Sequence, residues 1–268
     1  MFFRCLSGLL VLACAGTCAV LRVCADPQNL PFSNQAREGL DNRVAEIVAN
    51  GLDATLEFVW WPERKASVAQ FLDAGNCDVW FGAPSGLPSA LTTKPYYRSS
   101  YVFISRRDRV GSISSLFDER FSSLRIGAQI VGDDYAPPAL VLARRGLSAN
   151  LAGFSLFGPE GEPNPAARIV DAVDTGAVDV AIVWGPVAGY FAKRAKSPLE
   201  ITSVRPAAFA GIPFAFDITA AVSKNKPSLR AQIDQVLERE CPAIRALLAE
   251  YSVPLEPEEK TPCASLQP

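Results

Sequence analysis

Histidine is absent from all 268 residues, and the only methionine is the initiator. Those two gaps remove a Ser-His-Asp triad, a Cys-His dyad, imidazole metal sites, blue copper and c-type haem with its histidine axial ligand. No two cysteines stand at the C-x-x-C spacing of redox, zinc or haem-attachment sites. Basic runs are missing too. Lys and Arg number 26 against 28 Asp and Glu, a net charge of -2, so the electrostatic footprint of nucleic-acid binding is not there. With no nucleophile motif either, the expectation is a non-enzyme: no catalytic residue, no metal, no cofactor of its own.

One stretch lacks charge altogether. Residues 5–21 carry none, 6–15 are dense in Leu, Val and Ala, and Thr17-Cys18-Ala19 follows. This predicts a secretory signal over residues 1–19, cleaved after Ala19 and leaving no membrane span. As a permanent anchor the run sits at the short edge of what crosses roughly 30 Å of hydrocarbon; acylation on Cys14 is the lipoprotein alternative. Cleavage removes Cys5, Cys14 and Cys18 and leaves Cys24, Cys77, Cys241 and Cys263, an even set in an oxidising compartment. Three pairings exist on paper. Cys24–Cys77 is expected, against the bland reading of two buried thiols, because the end of a first strand and the start of a third can be neighbours in a doubly wound lobe, and Cys241–Cys263 is expected to pin the tail to the final helix.

What remains, roughly 250 residues and nearly half apolar, can bury a sizeable core in one or two domains. Its organising stretch is 92–109. Pro95 blocks helix, 96–104 alternates aromatic and β-branched residues with polar ones, and 106–109 is a cluster of charges, so it reads as a strand leaving one sheet for a polar crossing. Before it, strand 21–26, a helix through Leu40, Val44, Ile47 and Val48 ending at Asn50-Gly51, strand 54–61, helix 63–74 and strand 77–82 make βαβαβ. After it the phrases return. Leu-Arg-Ile-Gly-Ala-Gln (124–129) echoes Leu-Arg-Val-Cys-Ala-Asp (21–26), and Asp-Thr-Gly-Ala-Val-Asp-Val (174–180) echoes Asp-Ala-Gly-Asn-Cys-Asp-Val (73–79), both about one hundred residues on. A strand near 217–222 then returns to the first sheet. The expected division is lobe 1 over 20–105 and 214–255, lobe 2 over 106–213, and a tail at 256–268: an α/β protein whose two doubly wound lobes are joined by two connecting segments around a cleft.

These residues resemble the type II periplasmic solute-binding fold. Four motifs in order, residues 21–33, 92–101, Ile130-Val-Gly-Asp-Asp134 and 183–191, are similar to the methanol-oxidation J proteins of the MoxJ/XoxJ type. The resemblance implies a periplasmic accessory protein of a quinoprotein methanol dehydrogenase that uses pyrroloquinoline quinone (PQQ). It would serve assembly, activation or coupling to cytochrome c, with the quinone and metal belonging to the partner. The alternative is the solute-binding component of an ABC transporter holding a small molecule or peptide. Amino-acid binding proteins of this fold carry a carboxylate where this chain has Trp184-Gly185-Pro186, so an α-ammonium group would lack its ion partner.

The candidate cleft residues are Asp26, Trp60, Trp61, Tyr96, Tyr97, Arg98, Asp133, Asp134, Trp184 and Tyr190. Asp133 and Asp134 could ligate a hard cation, but Asp ahead of a helix is more often a cap. Asp26 beside Pro27 serves a turn as readily as a ligand. Arg98 suits an anion, a partner's carboxylate or a surface pair. The six aromatics fall near strand ends, where they line a cleft, face a partner or simply pack.

Overall fold

The computed structural model describes residues 19–61, 68–131, 134–159, 162 and 164–256. The expected signal, save Ala19, the tail beyond Glu256, Asp133 and Cys263 lie outside them. Lobe 1 opens with β1 (Val20–Ala25), α1 (Leu40–Gly51), β2 (Thr55–Trp60), α2 (Val68–Asp73) and β3 (Val79–Pro84). β1 pairs in parallel with both β2 and β3, which is the βαβαβ order its periodicity predicts. Leu40, Val44 and Val48, four apart along α1, are completely buried, the core-facing stripe of an amphipathic helix.

The crossing is a single long strand, β4 (Tyr97–Arg106). In the second lobe follow β5 (Ile126–Val131), α3 (Pro137–Leu142), β6 (Leu151–Ser155), α4 (Arg168–Thr175), β7 (Val180–Trp184), α5 (Gly185–Ala192) and β8 (Leu199–Ser203). The chain returns by β9 (Ala215–Val222) and ends in α6 (Pro227–Arg239) and α7 (Cys241–Glu250). β4 changes partners midway. Tyr97 to Ser100 pair antiparallel with Ile218 to Ala215 of β9, whereas Tyr101 to Ser105 pair with Trp184 to Val180 of β7, and β8 lies along its other edge. The polar residues interleaved in this strand therefore sit where it passes between lobes. The charges at 106–109 end it in a turn, with Arg106 on Asp108 at 2.7 Å.

The two sequence echoes have one physical cause. In lobe 1 the guanidinium of Arg22 donates to Asp78 at 2.9 Å and reaches the carbonyl of Gly75, and the Arg22 amide donates to the same carboxylate. In lobe 2 Arg125 repeats the set on Asp179 at 2.7 Å, on Gly176, and through its own amide. Each arginine thus ties the start of a lobe's first strand to the start of its third and covers the carbonyl where a helix ends. Both glycines adopt left-handed backbone, φ 75° and 79°, as helix-ending glycines do. The fork geometry of arginine on carboxylate makes this a strong charge-assisted contact.

After α7, residues 251–256 run back over the crossing. Ser99 and Ser100, both buried, donate through their hydroxyls to the Pro254 carbonyl at 2.6 Å and to Glu256 Oε1 at 2.7 Å. The other oxygen of Glu256 takes Arg205 at 2.9 Å, and its amide donates to the Arg98 carbonyl. α5 lies flat on this strap because Gly185 and Gly189 have no side chain. A Cβ on Gly189 would stand 1.9 Å from the Ser252 carbonyl oxygen, and one on Gly185 would stand 2.7 Å from that of Ser100.

Candidate functional site

In open parallel sheets ligands gather beyond the carboxyl ends of the strands, and the cleft lies there in both lobes. Lobe 1 contributes the end of β1 with Asp26, the loop with Phe32 and Ser33, Asp41, Phe58 on β2, and Phe81-Gly82 on β3. Lobe 2 contributes Leu156 and Phe157 just past β6, and Trp184 at the end of β7. Tyr97 completes the wall from the crossing strand. Together they enclose a cavity of about 180 Å³. The lobes also touch at its rim, where the Gln28 side-chain amide donates to the Glu162 carbonyl at 3.3 Å.

Three of the sequence candidates, Asp26, Tyr97 and Trp184, meet at this cavity. Asp26 makes the turn as well: its Oδ1 accepts the Gln28 amide at 2.7 Å and its carbonyl accepts the Ser33 hydroxyl at 2.7 Å. Trp184 packs edge-on against Tyr101 and Phe216, with ring centroids 5.3 and 5.9 Å away. It touches the cores of both lobes.

Tyr96 is buried behind the wall, its hydroxyl accepting the Gly82 amide at 2.9 Å. Burial raises the phenol pKa of both Tyr96 and Tyr97, and the charge of Asp41 raises it further. The remaining candidates stand elsewhere. Trp60 stacks on Phe58, Trp61 on Phe71. Arg98 pairs with Asp217 at 2.7 Å across β4 and β9. Tyr190 stacks on Tyr251 beside the strap, under the Arg194 guanidinium. Asp134 is exposed in a short pairing with Val131.

Cys24, on the cavity wall, is joined to Cys77 with Cα atoms 5.5 Å apart. Of the second expected pair, Cys241 is buried and disulfide-bonded, whereas Cys263 falls outside the described residues.

No known protein-family profile matches the sequence. Over 254 residues, 91% of this chain and 83% of its relative, the sequence is 33% identical to Protein MoxJ of Methylorubrum extorquens. The chain belongs to the MoxJ family. Solved structures agree with the MoxJ assignment. MxaJ from Methlophaga aminisulfidivorans MPT superposes with a TM-score of 0.76 at 27% identity, covering 88% of this chain and all of the other. The periplasmic binding protein XoxJ from Methylobacterium extorquens AM1 gives 0.72 at 30%, covering 89% and 100%. The architecture is accordingly a type II periplasmic binding protein.

In this MoxJ-type cleft the sequence missed Phe32, Asp41, Phe58, Phe81 and Phe157. Phe157 had a usable signal, since it stands between an expected strand near 152–157 and the Gly/Pro-rich loop 158–165, where binding loops belong. Asp41 had none, because an acid in a first helical turn is ordinary.

Proposed function

We propose that this chain is a non-catalytic periplasmic accessory protein of a PQQ-dependent methanol or alcohol dehydrogenase system. It engages the dehydrogenase, or a segment of it, through the cleft between its lobes and serves assembly, activation or coupling to cytochrome c. The observation that carries the reading is Trp184. An aromatic ring fills the position from which related folds hold a charged solute, in a chain that shares 33% of its residues with MoxJ over nearly its whole length. The wall is mostly aromatic and, among the described residues that line it, holds Asp26 and Asp41 but no Lys or Arg, so an amino acid's carboxylate would be buried without a cation at a cost of several kcal/mol, whereas a protein segment or another apolar group would avoid that cost. The quinone and its metal ion belong to the partner in this scheme. Affinity capture of the mature protein from the periplasm of methanol-grown cells, with mass spectrometry of proteins and small molecules, tests it. Recovery of a quinoprotein dehydrogenase or its cytochrome is expected. A tightly held metabolite without dehydrogenase would instead make the chain a solute carrier for a permease.

A further inference from the structure

A buried hydroxyl on the cleft wall has an unmet need. Tyr97 is 3% exposed, and its hydroxyl has no hydrogen-bond partner among the described residues. A buried hydroxyl in that state costs about 1–3 kcal/mol, and folded proteins rarely keep one. Its neighbour Tyr96 meets the same requirement internally, on the Gly82 amide. The Tyr97 phenol is held protonated by burial and by the Asp41 charge, so it is available as a donor.

We propose that the cleft receives one ring-sized organic group that carries no negative charge, held between the aromatic walls of the two lobes and accepting a hydrogen bond from the Tyr97 hydroxyl. Size supports this: about 180 Å³ is close to the roughly 150 Å³ cavity that holds benzene. Composition supports it, with Phe32 and Phe58 from lobe 1 facing Phe157 and Trp184 from lobe 2. Charge selects against anions. Asp26 and Asp41 are in the wall, and no Lys or Arg is among the described residues that line it; Arg37 is exposed and stacks over the Phe58 ring at 5.2 Å. A carboxylate or phosphate entering would lose its water and gain no cation there, which is the expensive way to bury charge. The proposal rests on the cleft being the binding site, as above, and not on which dehydrogenase is the partner. A phenol or amide side chain of a partner segment and a free small molecule share this chemistry.

The test is titration of the full mature chain, followed by tryptophan fluorescence and calorimetry, with p-cresol, toluene, benzoate, benzylammonium and N-acetyl-tyrosinamide. One added hydrogen bond makes p-cresol bind about fivefold tighter than toluene, with benzoate at least about tenfold weaker than p-cresol. In Tyr97→Phe, p-cresol falls to the level of toluene. If that variant does not fold, the ratio of p-cresol to toluene on the unaltered chain still decides. Equal binding of those two, preference for benzoate, or no binding of any probe overturns the proposal, whereas binding of benzylammonium beside p-cresol supports it. N-acetyl-tyrosinamide matching p-cresol assigns the group to a partner segment, and its rejection beside p-cresol binding assigns a free molecule. Dehydrogenase capture that fails while p-cresol selectivity holds would remove the accessory reading alone; the reverse pattern would remove this one alone.

Discussion

Arg22 and Arg125 show how a repeated phrase becomes a repeated bond. Each anchors a strand start to an aspartate and to a helix-ending carbonyl, but the two sites are unequally sheltered. The Asp78 side chain is 6% exposed and is also reached by Lys226, whereas that of Asp179 is 24% exposed. Asp78→Asn is therefore expected to cost about 1.5–3 kcal/mol, and Asp179→Asn less, as read from denaturant midpoints. Equal losses would mean that burial does not set the strength. Both carboxyls titrate below their usual range. For Asp179 the Arg125 hydrogen bond is the main cause, while at Asp78 burial opposes the shift and the bonds from Arg22 and Lys226 outweigh it. The unfolded chain then binds more protons at mildly acid pH, so this stability is complete above pH of about 4 and is lost as pH falls through the lower, folded values. Melting temperatures measured from pH 7 downward check the sign, and Asp78→Asn should flatten the acid limb.

At the scale of elements, α5 and the first lobe's strands make the sharpest predictions. Gly→Ala inside a helix ordinarily stabilises by about 0.5–1 kcal/mol. Gly189→Ala should do the opposite, because its Cβ would meet the Ser252 carbonyl oxygen at 1.9 Å, against backbone that cannot swing aside as a side chain would. A melting temperature unchanged or raised by that substitution would mean the strap is not seated on α5. The Cys24–Cys77 bond closes a separation of 53 residues, so in the entropy model its removal by paired Cys→Ser costs about 4 kcal/mol. A loss well below that, in denaturant melts, would point to residual order in the unfolded lobe. The elements themselves were largely legible. α1 buries the four-apart stripe that its sequence displays, and β1, β3, β5 and β7 follow from short apolar runs bounded by glycine or proline. Sequence could not say that β4 would belong to both lobes, since alternation along one strand carries no record of which neighbours it pairs with.

For the whole molecule, residues 251–256 tie the last helix to the crossing strand β4 and to Arg205 of lobe 2. Within this strap Glu256 is bonded to β4 and to Arg205. Burial opposes its ionisation, but hydrogen bonds from Ser203, Ser100 and Arg205 hold its carboxyl below the usual range. Termination after Val253 is expected to widen the angle between lobes, seen as a larger radius of gyration in small-angle scattering and faster amide exchange around Ser99 and Ser100. Glu256→Gln should do so partially while the fold remains intact by circular dichroism. Identical scattering and exchange in both variants would show that the strap does not set the lobe angle.

The α/β class, the two-lobed order, the repeated Arg–Asp phrase and the exclusion of histidine chemistry were legible in the chain alone, because each rests on local periodicity or on which side chains exist at all. The sequence also singled out Asp26, Tyr97 and Trp184. That these three share a cavity while Trp60, Trp61, Tyr190 and Arg98 pack elsewhere came with the fold. Which face of a strand end looks into a cleft depends on the register and partners of strands far apart in the chain. Phe157 and Asp41, separated by more than a hundred positions, become neighbours of one cavity only once both sheets have formed and β4 has set one lobe against the other.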